Sequence, residues 1–317
     1  MNIVCFSQDT ELRTALEATL ADGTVTFVDP ADPDPTALAT AEIALCGGLS
    51  GARRAQMPRL KLVQFWSAGV DGKLFPALFD GGAAVATGAG IHVDSCANHV
   101  LAMLLAFARG LPQAFAAQKE RRWDRAAVST PQFELDGKTM GIVGTGAIGQ
   151  AIAQRAKALG MTTIGVRRHA DRPIPDGFDH VLPHLQYHEM IVRANVVVLA
   201  LPLTQGTRWI FGEDEIEVIP KGAYLFNIGR GGLIDERYVL QALQNRWLAG
   251  AGLDVFDDEP LPPDSPWWDL DNVLITPHVG GNTPAYWPRF ARLVAAQIER
   301  LESGEAPLNR VDPALGY

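Results

Sequence analysis

Short runs of β-branched and aliphatic residues alternate along this chain with stretches whose apolar positions recur every three or four residues. Asn2–Phe6, Thr24–Val28, Ile43–Leu45, Leu62–Phe65 and Ala84–Thr87 read as strands, and segments between them such as Thr10–Leu20 read as helices or loops. The proline-rich Asp29–Pro35 is a loop, because each proline removes a donor and restricts the residue before it. A long apolar helix is expected over Asp94–Lys119. After it comes a second alternating series, with strands at Met140–Val143, Thr162–Val166, Asn195–Leu199, Tyr224–Asn227, Leu248–Leu253 and Val273–Ile275. Alternation of this kind predicts an α/β fold of two Rossmann-like or flavodoxin-like domains, each with a parallel sheet, separated by an interdomain cleft. The last helix, after Pro284, comes too late for the second series and is expected to return to the first. The expected division is therefore 1–96 plus 284–317 for one domain and 97–283 for the other.

Composition narrows the class. The chain has 317 residues, and roughly 150 per domain makes two domains the prior. At 47% hydrophobic and 20% charged residues it is not a disordered chain. A net charge of −9 argues against a general binder of nucleic acid or anionic membrane. The apolar run Val100–Ala108 is shorter than the roughly 20 residues a membrane span needs. The N-terminus has no basic region and soon turns polar at Gln8-Asp9, unlike a signal peptide. Cys5, Cys46 and Cys96 form no CxxC pair, which fits a reducing cytoplasm better than a disulfide scaffold or a zinc cluster. His184 and His188 have helix-compatible ligand spacing but lack a third ligand at suitable spacing, so no metal is expected.

The strongest motif is Gly144-Thr145-Gly146-Ala147-Ile148-Gly149, which follows an apolar strand and opens a helix. Gly144 allows the tight turn, Gly146 lets a pyrophosphate reach the backbone, and Gly149 lets helix and strand pack closely. Free N–H groups at the helix start, around Ala147 and Ile148, would carry phosphate charge. The end of the next strand bears on which dinucleotide binds. Where an NAD site usually has Asp or Glu for the ribose hydroxyls, this chain has Arg167 and Arg168. Guanidinium groups pair with phosphate, so NADP(H) is expected over NAD(H) unless the two arginines belong to a solvated loop.

Three further stretches stand at late strand ends of the second series. They are Asn227-Ile228-Gly229-Arg230-Gly231-Gly232, Asp254-Val255-Phe256-Asp257-Asp258-Glu259-Pro260 and Thr276-Pro277-His278-Val279-Gly280-Gly281. Loops at the carboxyl ends of parallel strands face the ligand crevice, so Arg230, Glu259 and His278 can converge. With Ser67-Ala68-Gly69-Val70-Asp71, Ala97-Asn98-His99 and Leu201-Pro202-Leu203-Thr204, these motifs make the chain resemble the D-isomer-specific 2-hydroxyacid dehydrogenases. It is most similar to the glyoxylate/hydroxypyruvate reductases, being short, without a C-terminal regulatory extension, and ending in Gly316-Tyr317.

The resemblance implies NADPH-dependent reduction of a small 2-keto acid to the D-2-hydroxy acid. It implies that domain 97–283 binds the dinucleotide and that the other carries the substrate. His278 would be the general acid, Glu259 its hydrogen-bond partner, and Arg230 the cation for the substrate carboxylate and keto oxygen. Backbone N–H groups of Ser67, Ala68, Gly69 and Val70 would hold the same carboxylate. Leu201, Pro202, Thr207, Ile228, Gly229, Arg230, Asp254, His278 and Gly280 would line the cofactor. Asp254 either contacts the nicotinamide side or satisfies backbone donors. Trp66 and Trp287 either line the substrate pocket or pack in a core.

Two departures from the family pattern stand out. Many relatives have Glu where this chain has Asn98, and the acidic residue is missing at Arg167. The resemblance also implies a homodimer built on the region from the long helix to Trp123. A different class of function, a nucleotide-sensing binding protein like the corepressors that resemble this family, shares the same motifs. A dehydrogenase for a non-hydroxyacid such as phosphite is a third reading.

Overall fold

The computed structural model describes every residue except Ala170, Gly316 and Tyr317. The Gly316-Tyr317 resemblance therefore lies outside the described residues. The chain divides into two compact units, one of Met1–His92 with the stretch from Thr283 onward, the other of Val93–Asn282. The expected division after Cys96 falls inside a helix, Val93–Ala108, which belongs whole to the second unit.

The first unit carries strands β1 (Ile3–Cys5), β2 (Val25–Phe27), β3 (Ile43–Cys46), β4 (Leu62–Phe65) and β5 (Ala84–Ala86), all parallel, in the order β2-β1-β3-β4-β5. Strands β1, β3 and β4 are buried throughout, as a sheet covered on both faces requires. Its helices are α1 (Thr10–Thr19), α2 (Pro35–Thr40) and α3 (Gly51–Ala55), with α11 (Tyr286–Glu302) closing the unit. Asp9 caps α1 by accepting from the Glu11 and Leu12 amides, and Leu12 and Leu16, one turn apart, face the core. Helix α11 packs on α1 through Phe290, Ala291 and Val294. The fully buried Gln297 of α11 donates to Gln64 Oε1 of β4 at 2.8 Å, so a polar pair inside the core fixes how the helix meets the sheet.

In the second unit the helices are α4 (Val93–Ala108), α5 (Leu111–Lys119), α6 (Arg125–Ser129), α7 (Ala147–Ala158), α8 (Tyr187–Ile191), α9 (Glu213–Val218) and α10 (Glu236–Gln244). Its strands are β6 (Thr139–Val143), β7 (Thr162–Arg167), β8 (His180–Pro183), β9 (Val196–Leu199), β10 (Tyr224–Asn227), β11 (Gly250–Leu253) and β12 (Val273–Ile275). They form one parallel sheet in the order β12-β11-β10-β9-β6-β7-β8, which is the doubly wound dinucleotide-binding order with an additional edge strand.

Two expectations are corrected. The sheet has seven strands rather than six, because β8 is a short, half-exposed edge strand that lacks the apolar signature of its neighbours. The long helix is two helices, α4 and α5, bent by 70°. Gly110 adopts a left-handed conformation (φ +66°) between them, and Pro112 lies in the first turn of α5. Among the described residues no single helix is long and apolar enough to cross a membrane.

Candidate active site

The glycine loop lies at the switch point of the second sheet, between β6 and β9. Gly144 has φ +104°, and a Cβ there would lie 2.3 Å from the Ala200 carbonyl oxygen, at the end of β9. A Cβ on Gly149 would lie 2.0 Å from the Gly144 carbonyl oxygen, so helix and turn touch through bare backbone. At Gly146, the N-cap of α7, a Cβ would meet nothing within 4 Å. Two glycines are thus required by the protein's own packing, whereas Gly146 leaves space in front of the helix start.

The neighbouring loops complete this rim. Thr207 Oγ1 donates to the Pro202 carbonyl and accepts from the Thr204 amide, both at 2.8 Å, closing the loop after β9. A Cβ on Gly229 would lie 2.9 Å from the Leu201 carbonyl oxygen, which brings the loops after β9 and β10 together. Among the described residues, the end of β7 carries Arg167 and Arg168 rather than a carboxylate. Arg167 Nη2 donates to the Arg172 and Pro173 carbonyls, the latter at 2.9 Å, and its buried Nε has no hydrogen-bond partner. Arg168 is exposed beside it. An open helix start fits a dinucleotide phosphate, and a guanidinium group stands at the strand end where an NAD site would have an acid.

His278, Glu259, Asp254 and Arg230 stand on the loops after β12, β11 and β10. His278 has φ +54°, a left-handed conformation that is costly for a non-glycine residue. Asp254 holds it there. The Asp254 carbonyl accepts from the His278 amide at 2.9 Å, and its carboxylate accepts from the Val279 and Gly280 amides, each at 2.9 Å. His278 Nδ1 lies 2.8 Å from Glu259 Oε2. A carboxylate only accepts, so Nδ1 carries the proton of that bond, and Nε2 is the free ring nitrogen. Glu259 is in turn fixed by the Phe256 amide at 3.0 Å. The His278 side chain is 48% exposed, so Nε2 is reachable from outside the loop.

Asn227, fully buried, shapes the Arg230 loop by accepting from the Gly229 amide at 3.1 Å and donating to the Arg230 carbonyl at 2.8 Å. A Cβ on Gly231 would lie 2.0 Å from the Phe256 carbonyl carbon, so the Arg230 and Glu259 loops are pressed together. Arg230 Nη1 donates to the Gly229 carbonyl at 2.7 Å.

Three residues of this network had not been singled out from the sequence. The hydroxyl of Thr276 donates to Asp254 Oδ1 at 2.6 Å, and His99 Nε2 lies 2.9 Å from the same hydroxyl. Because the hydroxyl spends its one hydrogen on Asp254, His99 Nε2 is the donor to Thr276. Arg155 of α7 donates to Asn98 at 2.9 Å and to Asp94 at 2.9 Å, so Asn98 serves to join α4 to α7. The adjacency of Asn98-His99 to an apolar helix start was the available signal, but their partners lie far along the chain.

In the first unit, Ser67 Oγ donates to the Gly69 carbonyl at 2.8 Å and accepts from Lys73 Nζ at 2.7 Å, curling the loop after β4. Among the described residues, the backbone N–H groups of Ser67, Ala68, Gly69 and Val70 donate no hydrogen bond. These four successive donors are left available to a ligand. Trp66 and Trp287 meet edge to face, with ring centroids 6.0 Å apart, and Tyr286 donates to the Trp66 carbonyl at 3.0 Å. Among the described residues no three potential ligands are grouped to hold a metal ion, and His188 instead pairs with Glu215 at 2.7 Å.

Comparison with known proteins agrees with this geometry. Residues 101–280 match the family described as D-isomer specific 2-hydroxyacid dehydrogenase, NAD binding domain. The D-3-phosphoglycerate dehydrogenase of Methanocaldococcus jannaschii is 37% identical over 80% of this chain. The chain spans only 48% of that relative's length. A D-isomer specific 2-hydroxyacid dehydrogenase from Xanthobacter autotrophicus, solved with NADPH and MES, superposes with a TM-score of 0.87 at 30% identity, covering 99% of both chains. The NADPH-dependent glyoxylate/hydroxypyruvate reductase of Sinorhizobium meliloti, solved with NADP and sulfate, gives 0.85 at 28% identity, again over 99% of both.

Proposed function

The chain belongs to the D-isomer specific 2-hydroxyacid dehydrogenase family, and from that premise we propose that it reduces a small 2-keto acid, of the glyoxylate or hydroxypyruvate type, to the D-2-hydroxy acid with NADPH preferred over NADH. The observation that carries this reading is His278, whose Nδ1 is pinned by Glu259 while Nε2 stays open, with the Glu259 loop in turn pressed against that of Arg230. A nicotinamide dinucleotide, when bound, supplies the hydride to the keto carbon. The chain's own groups do the rest. Arg230 holds the substrate carboxylate and draws charge from the keto oxygen, and the free N–H groups of Ser67–Val70 take the same carboxylate. As the keto oxygen gains negative charge, His278, protonated on both ring nitrogens, delivers its Nε2 proton to it, and Glu259, accepting from Nδ1, stabilises that imidazolium and fixes its orientation.

Gly146, Ala147 and Ile148, between the supports of Gly144 and Gly149, would hold the dinucleotide phosphates through the open helix start. Arg167 and Arg168 would hold a 2′-phosphate. Leu201, Pro202, Thr207, Ile228, Gly229 and Gly280 line the remaining path. Asp254 acts first on the His278 loop, through the backbone bonds described, and would stand at the nicotinamide side of the cofactor. On this reading the unit Val93–Asn282 binds the dinucleotide and the unit of Met1–His92 with the stretch from Thr283 onward carries the substrate, roles expected for 97–283 and for 1–96 plus 284–317. The active form is a homodimer, and its buried free cysteines suit the cytoplasm.

The test is NADPH oxidation by the purified protein with glyoxylate, hydroxypyruvate, pyruvate and phenylpyruvate, repeated with NADH. Turnover with NADPH and one of the small acids is expected, and Arg167→Asp should erode the preference for NADPH over NADH. A wild-type preference for NADH would overturn the role given to the arginines. NADPH binding with no turnover of any acid would favour the sensor reading instead.

A further inference from the structure

The first sheet has a switch point of its own. Its order β2-β1-β3-β4-β5 reverses direction between β1 and β3, and ligands in open α/β sheets bind outside the carboxyl ends of strands at such a point. A cavity of about 440 Å³ opens there. Phe6, which follows β1, Leu49, which lies beyond β3, and Trp66, which follows β4, supply its apolar wall. Gly47 and Gly48, directly after β3, supply a wall without side chains. A Cβ on Gly47 would lie 2.7 Å from the Trp66 indole, so the ring rests against bare backbone. A Cβ on Gly48 would meet nothing within 4 Å.

Arg53 is the one ionisable side chain lining the cavity. Its Nη2 donates to the Pro30 and Ala31 carbonyls at 3.0 and 2.9 Å, which anchors the guanidinium in the wall. Among the described residues its Nε and Nη1 make no hydrogen bond. A cation anchored in a cavity wall, with no carboxylate in the lining, attracts an anion more strongly than one in bulk water. Its single charge matches a single carboxylate.

We infer that this cavity is a subsite for the distal carboxylate of a 2-keto dicarboxylic acid, with Arg53 as its partner. The inference rests on the reading of Ser67–Val70 as the loop that holds the carboxylate next to the keto group. Trp66 joins the two sites, since it lines the cavity and immediately precedes Ser67. Whole small-molecule sites occupy about 300–1,000 Å³, so a two-carbon acid at Ser67–Val70 leaves this cavity to water. A five-carbon acid has the length to enter it.

The experiment compares kcat/KM for 2-ketoglutarate and 2-ketovalerate, which have the same chain length and differ in the distal carboxylate, with glyoxylate as a third substrate. The expected ratio of 2-ketoglutarate to 2-ketovalerate is about tenfold or more, the usual worth of a hydrogen bond to a charged group. Arg53→Met should bring the ratio close to one, and Arg53→Lys should retain part of it. Because Arg53 also ties down the Pro30–Ala31 loop, Arg53→Met can lose its fold. Gly48→Leu, which fills the cavity without touching that anchor, then decides, and should lower kcat/KM for 2-ketoglutarate relative to glyoxylate by tenfold or more. A wild-type ratio at or below one, a ratio that survives in folded Arg53→Met, or no effect of Gly48→Leu each overturns the inference while leaving the reductase reading intact. Turnover of no 2-keto acid at all overturns both.

Discussion

His278 sits in a backbone conformation that costs a non-glycine residue of order 1–3 kcal/mol, and three hydrogen bonds to Asp254 hold the loop in it. Such strain at a residue with one pinned and one open ring nitrogen is what a positioned proton donor requires. His278→Asn keeps a small polar side chain that tolerates the left-handed region but removes the proton. It should lower kcat by roughly 10²–10⁴-fold with the fold intact, as measured by steady-state kinetics beside circular dichroism. Near-wild-type turnover in that variant would remove His278 from the mechanism. The strand-end placement of Arg230, Glu259 and His278 was legible in the sequence because each lies in a short motif. His99 and Thr276 were not, because their partnership with Asp254 joins α4 to the loops after β11 and β12, and no local pattern records a contact across that separation. Arg53 was passed over for a similar reason. One arginine in a short helix reads as surface charge until the sheet order places it over a cavity.

At the scale of elements, the two later glycines of the phosphate loop separate packing from binding. Gly149→Ala would force a Cβ against the Gly144 carbonyl oxygen, and should lower stability by about 2 kcal/mol in urea unfolding as helix and turn are pushed apart. Gly146→Ala has open space, so it should leave the unfolding midpoint near wild type while weakening NADPH binding, read by fluorescence titration, tenfold or more. Equal loss of stability in both variants would mean that Gly146 is structural too. A second element test concerns the edge strand β8. Asp179, just before it, accepts from Lys157 at 2.6 Å and from the Thr163 amide at 2.9 Å, and these bonds hold its carboxyl below the usual range. A lowered pKa means the stabilisation is present above about pH 4 and is lost as pH falls through the folded value. Asp179→Asn should therefore cost about 1–2 kcal/mol at pH 7 and progressively less below pH 4. The alternating apolar runs showed most of the strands, since buried parallel strands are continuous in Val, Ile and Leu. They hid β8, whose residues are only partly buried, and apolar periodicity continuing past Gly110 masked a break that Gly110-Leu111-Pro112 itself signals.

For the whole molecule, the surface of the second unit presents an unusual group of residues. Trp123 is 99% exposed and Phe115 57% exposed, with Leu105 and Leu111 also exposed on α4 and α5. Scattered single apolar residues need no explanation, but a bare tryptophan with a phenylalanine and two leucines in the same stretch of chain is costly to leave in water. Burying a tryptophan or phenylalanine side chain returns several kcal/mol, and a second copy of the chain is a partner that can do it. A chain with net charge −9 repels its copies at long range, so a self-association driven by these residues should strengthen as salt screens that repulsion. Light scattering at micromolar concentration should accordingly give twice the 34.2 kDa chain mass, with the dimer persisting or tightening at higher ionic strength. Trp123→Ser combined with Phe115→Ser should shift the protein to the monomer without changing its far-ultraviolet circular dichroism, because neither side chain contributes to the core. A monomeric wild-type mass at that concentration, or a dimer indifferent to both substitutions, would mean that these apolar groups serve something other than self-association.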